Sequence, residues 1–332
     1  MLKLQIKMKI LGIGNALVDV LVKIDNDNLL SELNLQKGSM SLIDVETRDD
    51  IFNRLANINY KITTGGSAGN TCLALSYMNA NVGFVGKVGD NEYGKFYIEE
   101  FMRAGVNPHF IHVNNNHTGT AMTFISADGE RTFGTYLGVA GDMHKTDLNK
   151  DVLSEYTYLY VEGYLVQNHE LIEGALSIAK SLGLKIAIDL ASYNIVEAEK
   201  EFLLKLINNY VDIVFANEEE AKALTGKEPQ EAVEEIGSMV EMSIVKTGAK
   251  GSFVMCKGEV VYVPVRSNVA PLDTTAAGDY YAAGFLYGLT QNKTIKQCAE
   301  LGTLFAGEII QVIGTKLSAE RWNSIKETAQ TI

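Results

Sequence analysis

The 332-residue sequence predicts an α/β fold with a mostly parallel sheet and a small antiparallel β-sheet inserted into it. Three observations carry this. From residue 158 onward, short apolar runs alternate with helical patterns, the mark of a parallel sheet with helices on both faces. Between residues 109 and 137 the pattern changes to short strands joined by a hairpin. Polar and glycine-rich segments fall just past the predicted strands, where ligands of open α/β sheets bind.

Taken in order, residues 8–14 are an apolar run ending in glycine, a buried strand, and Asn15-Ala-Leu-Val-Asp19 follows it. Residues 20–24 and 39–43 alternate apolar with polar side chains, as half-exposed strands do. Gly65-Gly66-Ser67-Ala68-Gly69-Asn70 is a turn before a helix over 71–78, followed by a strand at 82–88 and a helix at 94–104. Residues 110–113, 120–126 and 132–136 are short strands, with Asp128-Gly129 marking a hairpin between the last two. With the early pair they predict an antiparallel inserted sheet.

The regular part follows: strand 158–161, helix 170–182, strand 185–189, helix 197–208, strand 212–216, helices 218–224 and 230–239, and strand 242–246. A hairpin pairs 252–255 with 260–263, and a helix runs over 279–289. The last predicted helix spans 294–313, with Thr294 as its N-cap and Gly314 as its stop. The expected division is a large domain from 8–19, 46–108 and 138–332, and a lid from 20–45 and 109–137.

Net charge is −12, from 41 acidic and 29 basic residues. That speaks against a non-specific nucleic-acid or anionic-membrane partner, and leaves a phosphate-bearing small ligand open. The three cysteines are far apart and form no Cys-x-x-Cys, which fits a reducing cytoplasm rather than a disulfide or zinc framework. No apolar run reaches transmembrane length and the first residues carry no secretory signal; Met1 or Met8 could open the natural chain. His109, His112 and His117 are loosely spaced without an acidic or cysteine partner, as surface histidines are. The apolar lid strands could pair in a homodimer.

Asp273-Thr-Thr-Ala-Ala-Gly-Asp279 carries the most chemistry. It is a small-residue turn running straight into a helix, so the N–H groups of Ala277, Gly278 and Asp279 sit at a positively polarised, anion-binding end. A carboxylate beside a bound phosphate is repelled unless it takes a proton from the attacking group. The turn therefore suggests phosphoryl transfer with Asp279 as general base; the plain alternative is an acidic residue helping a helix dipole. Asn15 and Asp19 could grip vicinal hydroxyls, or merely form a turn. Asn217 and Glu220 could arrange Mg²⁺ through water, or merely cap a helix. Arg131, at the hairpin end, could clamp a phosphate, or be solvated.

Competing motifs are weaker. Gly65-Gly66-Ser67-Ala68-Gly69 matches the nucleophile elbow of esterase-like hydrolases, but no histidine follows His169. Val245-Lys-Thr-Gly-Ala-Lys-Gly251 is no Walker A, and Gly12-x-Gly14 lacks the third glycine of a dinucleotide fingerprint. A ligand binder without turnover is the other alternative.

Taken together, these stretches resemble the ribokinase-like (PfkB) carbohydrate kinase family, from Leu11 to Gly314. Both family signatures are present, Gly65-Gly66-x-Ala68-x-Asn70 with 83–90, and Asp273-Thr-Thr-x-Ala-Gly-Asp279. Asn15–Asp19, Gly66–Asn70 and Leu137-Gly-Val-Ala-Gly141 look most like its adenosine-kinase branch. The resemblance implies a three-layer α/β/α domain with a small β-sheet lid, acting on a sugar or nucleoside with ATP and Mg²⁺. It implies Asp279 as base and Ala276–Asp279 as anion hole. It also implies Asn15, Asp19, Gly65, Gly66 and Asn70 at the acceptor, and Asn217, Glu220, Thr247, Gly248 and Gly251 at ATP. Asp273 and the segment up to Gly314 match a region that holds a monovalent cation, such as K⁺, in several members. One position departs: Ala276 stands where the family usually has glycine, and a left-handed backbone there would cost about 1–2 kcal/mol.

Overall fold

The computed structural model describes residues 8–56, 58–128, 130–266 and 269–332. Residues 1–7 and the hairpin glycine Gly129 lie outside the described residues. In chain order the strands and helices are β1 (Lys9–Ile13), β2 (Leu17–Lys23), α1 (Asn28–Glu32), β3 (Met40–Leu42), α2 (Val45–Leu55), β4 (Tyr60–Gly65), α3 (Ser67–Tyr77), β5 (Asn81–Gly89) and α4 (Glu92–Ala104). The middle holds β6 (Asn107–Val113), β7 (Gly119–Ile125), β8 (Arg131–Tyr136), α5 (Lys150–Ser154), β9 (Tyr158–Glu162), α6 (His169–Ser181) and β10 (Lys185–Asp189). Then come α7 (Tyr193–Ala198), α8 (Lys200–Tyr210), β11 (Ile213–Asn217), α9 (Glu218–Thr225), α10 (Pro229–Met239), β12 (Met242–Lys246), β13 (Ser252–Cys256) and β14 (Glu259–Val263). The chain closes with α11 (Ala277–Thr290), α12 (Ile295–Ile309) and α13 (Ala319–Thr331).

Among the described residues the strands form two sheets. The larger runs β14-β13-β12-β11-β10-β9-β1-β5-β6. It is parallel from β6 to β12, and β13 reverses direction between β12 and β14. Its inner strands are mainly apolar because both faces are covered. Successive residues enter opposite cores, as the two-residue period of a strand requires. On β11, Ile213 and Phe215 face the core built with α3, α11 and α12, whereas Val214 and Ala216 face the core built with α6, α8 and α10. The result is the expected helix–sheet–helix sandwich.

The smaller sheet runs β3-β8-β7-β2-β4. One face, with Val20, Val22, Met122 and Phe124, is sealed by Leu30 of α1 and Ile51 and Leu55 of α2. On β2 the other face carries Leu17 and Asp19, which point to the cavity beneath.

Several sequence expectations are corrected here. The predicted strand 110–113 is the end of β6, which pairs with β5 at the edge of the large sheet, not with the lid. β4, an edge of the small sheet, lies within the segment 46–108 assigned to the large domain. The small sheet is mixed rather than antiparallel, since β2 with β7 and β3 with β8 run parallel. The final predicted helix stops at Ile309, four residues early, and the chain turns before Gly314 takes φ +94°. No helix among the described residues is long and apolar enough to cross a membrane.

Candidate active site

The carboxyl ends of β1, β9, β10, β11 and β12, the start of α11 and the inner face of the small sheet enclose a cavity of about 1600 Å³. Residues 265–266 and 269–271, between β14 and α11, also line it. Most of the expected site residues meet here: Asn15, Asp19, Gly66, Asn70, Asn217, Glu220, Gly248, Gly251, Ala276, Ala277, Gly278 and Asp279 all line it.

Asp279 sits in the first turn of α11. It accepts from Ser67 Oγ at 2.7 Å and from Asn70 Nδ2 at 2.9 Å, and no cation pairs with it among the described residues. Burial raises its pKa to about 6, while the bonds from Asn70 and Ser67 hold it down. A carboxyl with that value is ionised at neutral pH yet basic enough to take a proton. The N–H of Ala277 turns back to the Thr274 carbonyl at 3.2 Å, so it is committed to the turn. Those of Gly278 and Asp279 have no backbone acceptor among the described residues and remain for an anion.

Two backbone features shape this entrance. Gly66 has φ +85°, and a Cβ there would lie 2.2 Å from the Asn15 carbonyl oxygen, so only glycine fits. Ala276 has φ 62° and ψ 7°, the left-handed conformation anticipated for this departure. Non-glycine residues with positive φ elsewhere in the described chain are asparagines and one lysine; the two alanines, Ala191 and Ala276, both line the cavity. Ala276→Gly should relieve about 1–2 kcal/mol of strain and forfeit about 0.4–1 kcal/mol through a looser unfolded chain. The expected result is a melting temperature higher by one to a few degrees, read by calorimetry; a lower one would show the backbone is unstrained.

The residues expected to grip hydroxyls present acceptors. Asn15 Nδ2 donates to Glu162 Oε1 at 2.7 Å, and Asn70 Nδ2 donates to Asp279, so both amides leave Oδ1 for a ligand. Asp19 lies over Gly65, where a Cβ would come within 2.1 Å of its Oδ1. Burial raises Asp19 to about 7; Arg131 opposes this and Asp279 adds to it. Gly65 itself is a spacer outside the cavity lining, its carbonyl accepting from Tyr97 at 3.1 Å.

Other expected residues are placed differently. Thr247 does not line the cavity; its hydroxyl donates to the Gly251 carbonyl at 3.0 Å and shapes the loop. Arg131 crosses from β8 to Asp273 and donates to Thr275 Oγ1 at 2.9 Å, outside the main cavity. Asp273 Oδ1 also accepts from the Thr275 N–H, and Oδ2 from that of Gly314. Asp273, expected near a monovalent cation, is thus paired with Arg131. Asn217 and Glu220 form a capping box: the Glu220 carboxylate accepts from Asn217 N at 2.8 Å and Nδ2 at 2.7 Å, and its pKa is raised by burial to about 7. The helix cap expected as the plain alternative is therefore real, and Glu220 still faces the cavity.

Three polar residues went unrecognised in the sequence. Glu162, Asp189 and Lys246 are the last residues of β9, β10 and β12, and all reach the cavity. Glu162 accepts from the N–H groups of Asn15 (2.9 Å) and Ala68 (3.0 Å), fixing the first loop against α3; burial lifts it to about 7. Lys246 Nζ pairs with Asp189 Oδ2 at 2.9 Å. A charge ending a buried apolar strand was the available signal.

The profile of the pfkB family of carbohydrate kinases matches residues 36–322. The chain belongs to that family. It is therefore a phosphotransferase with an alcohol group as acceptor, a sugar or nucleoside kinase on a ribokinase-like fold. An uncharacterized sugar kinase of Archaeoglobus fulgidus is 29% identical over 251 residues, covering 74% of this chain and 97% of that one. A probable sugar kinase from Rhizobium etli superposes with a TM-score of 0.87 at 30% identity, covering 98% of each chain. An adenosine kinase from Sinorhizobium meliloti superposes with a TM-score of 0.87 at 32% identity, covering 97% of this chain and 100% of that one. In this kinase the esterase-like reading of Ser67 is set aside: its hydroxyl donates to the Asp279 carboxylate, not to an imidazole.

Proposed function

We propose that this kinase transfers the γ-phosphoryl group of ATP to a hydroxyl of a nucleoside or simple sugar, with Asp279 as general base. The observation that carries the reading is one shared cavity. Asp279 and the start of α11, Asp19, and the loop residues Gly248 and Gly251 all line it. Its roughly 1600 Å³ exceeds the usual pocket for one small ligand, about 300–1000 Å³, and suits two.

Asp19, Asn15 Oδ1 and Asn70 Oδ1 would hold vicinal hydroxyls. Asp279 would take the proton of the attacking hydroxyl, and the Gly278 and Asp279 N–H groups would stabilise charge on the moving phosphoryl. Val265, Val269, Pro271, Ala306 and Ile310 offer an apolar wall for the nucleotide base. Magnesium keeps several waters and takes few carboxylates, so Glu220 and Asp189 suit it through water. There it would offset phosphate charge.

At the acceptor end Met40, Leu42, Phe133, Leu137 and Tyr164 form an apolar lining that suits a nucleobase. Phe124, on the opposite face of the small sheet, is buried under α1 and α2, and Tyr136 is not in the lining. A sugar phosphate fits less well, because Lys37 is held by Asp27 and Asp128, and Lys87 by Asp147. ADP release measured over a panel of nucleosides and sugars tests the reading. Acceptor-dependent turnover with a nucleoside foremost is expected; no turnover with any member would remove the proposal.

A further inference from the structure

We propose that Lys246 is a second catalytic residue, its ammonium contacting the phosphoryl group as it passes from nucleotide to acceptor. The inference rests on the ATP reading above.

Lys246 ends β12, and its side chain is 14% exposed, at the cavity. A Cβ built on Gly278 would lie 3.2 Å from its Nζ, so the ammonium stands against the first turn of α11, beside the free N–H groups. An ammonium has three donors. One goes to Asp189 Oδ2, and among the described residues Nζ has no other acceptor. The remaining donors are left for a ligand.

Charge makes the same point. Eight acidic residues line the cavity, Asp19, Glu162, Asp189, Glu220 and Asp279 among them. The lysine and arginine side chains lining it, among the described residues, are Lys246 and the exposed Arg266. Lys246 is thus the buried cation in a site that must accept a polyanion. Burial opposes its charge, but Asp189 and Glu220 more than compensate, so its pKa is raised and it stays protonated. It therefore cannot serve as the base. A unit charge about 4 Å from a phosphoryl oxygen, in surroundings of effective dielectric near 20, is a substantial attraction.

The step balances without proton transfer at Lys246. The acceptor oxygen bonds to the γ-phosphorus as the bond to the β,γ-bridging oxygen breaks. The electron pair leaves on ADP, the hydroxyl proton goes to Asp279, and Lys246 keeps its own.

The plainer alternative is that Lys246 only neutralises Asp189. Lys246→Met alone would strand that buried carboxylate and could unfold the protein. The informative comparison is Asp189→Asn against Asp189→Asn/Lys246→Met, in which no carboxylate is stranded. Loss of the cation should lower kcat about 10²–10³-fold between these two, as removal of one positioned donor does. It should also weaken ATP at least about tenfold relative to ADP in calorimetry, a readout that survives slow turnover. A kcat ratio below tenfold, or, where turnover is too slow, an unchanged ATP preference, would overturn the proposal. Wild-type protein that neither binds ATP nor phosphorylates any acceptor would sink the kinase reading itself, separately from Lys246.

Discussion

Asp279→Asn should lower kcat by about 10²–10⁴-fold, the usual worth of a positioned general base. Nucleotide affinity should stay within a few-fold, because the α11 N–H groups remain. The same substitution should stabilise the protein at alkaline pH. The folded pKa of Asp279 is raised from 3.8 to about 6, so its stabilising contribution is complete below the unfolded value and is lost as pH rises through 6. A shift of about two units sets an upper bound near 3 kcal/mol above pH 7. Asparagine removes the charge while keeping an oxygen for Asn70 Nδ2. A melting temperature a few degrees higher at pH 8, with the gain shrinking below pH 6, is expected in thermal scans. Wild-type turnover in the variant would take Asp279 out of the mechanism.

The second large effect concerns the acceptor. Asp19, Asn15 and Asn70 present oxygen acceptors toward the cavity, so the group they hold must donate. A site built to bond a hydroxyl rejects an analogue lacking it by about 10⁴-fold in kcat/KM, because the buried acceptor is left unpaired. Deoxy analogues missing one of the vicinal hydroxyls should therefore fail by that factor, and Asp19→Ala should fail comparably with the full substrate. Steady-state kinetics on matched pairs measures this. Equal kcat/KM for both members of a pair would show that Asp19 grips something else.

The place of Asp279 at a helix entrance was legible because its signal is local. Small residues, a glycine and an acid at a helix start lie within seven consecutive positions. The strain at Ala276 was legible for the same reason. Glu162, Asp189 and Lys246 were not, because each ends a different strand and acquires meaning only when the parallel sheet brings those ends together. Gly14 belongs with them: a Cβ there would lie 2.4 Å from Glu162 Oε2, so the glycine makes room for an acid far along the chain. The wrong sheet for residues 110–113 has a similar origin. A short partly exposed strand looks alike at the edge of either sheet, and pairing with β5 decides it. Helix α2 was missed because Glu46, Thr47, Arg48, Asp49 and Asp50 mask its apolar side, Ile51 and Leu55. Arg131 was recognised as a lid cation, but its pairing with Asp273 joins residues 142 positions apart.

The most direct test is the pH dependence of kcat/KM for wild type beside Asp279→Asn. That ratio reports groups of the free enzyme, and burial sets Asp279 near 6. Wild type should lose about tenfold per pH unit below about 6, a limb the variant lacks on its lower baseline. A wild-type profile flat down to pH 5, or the same limb in both proteins, would contradict a catalytic carboxylate at the entrance of α11.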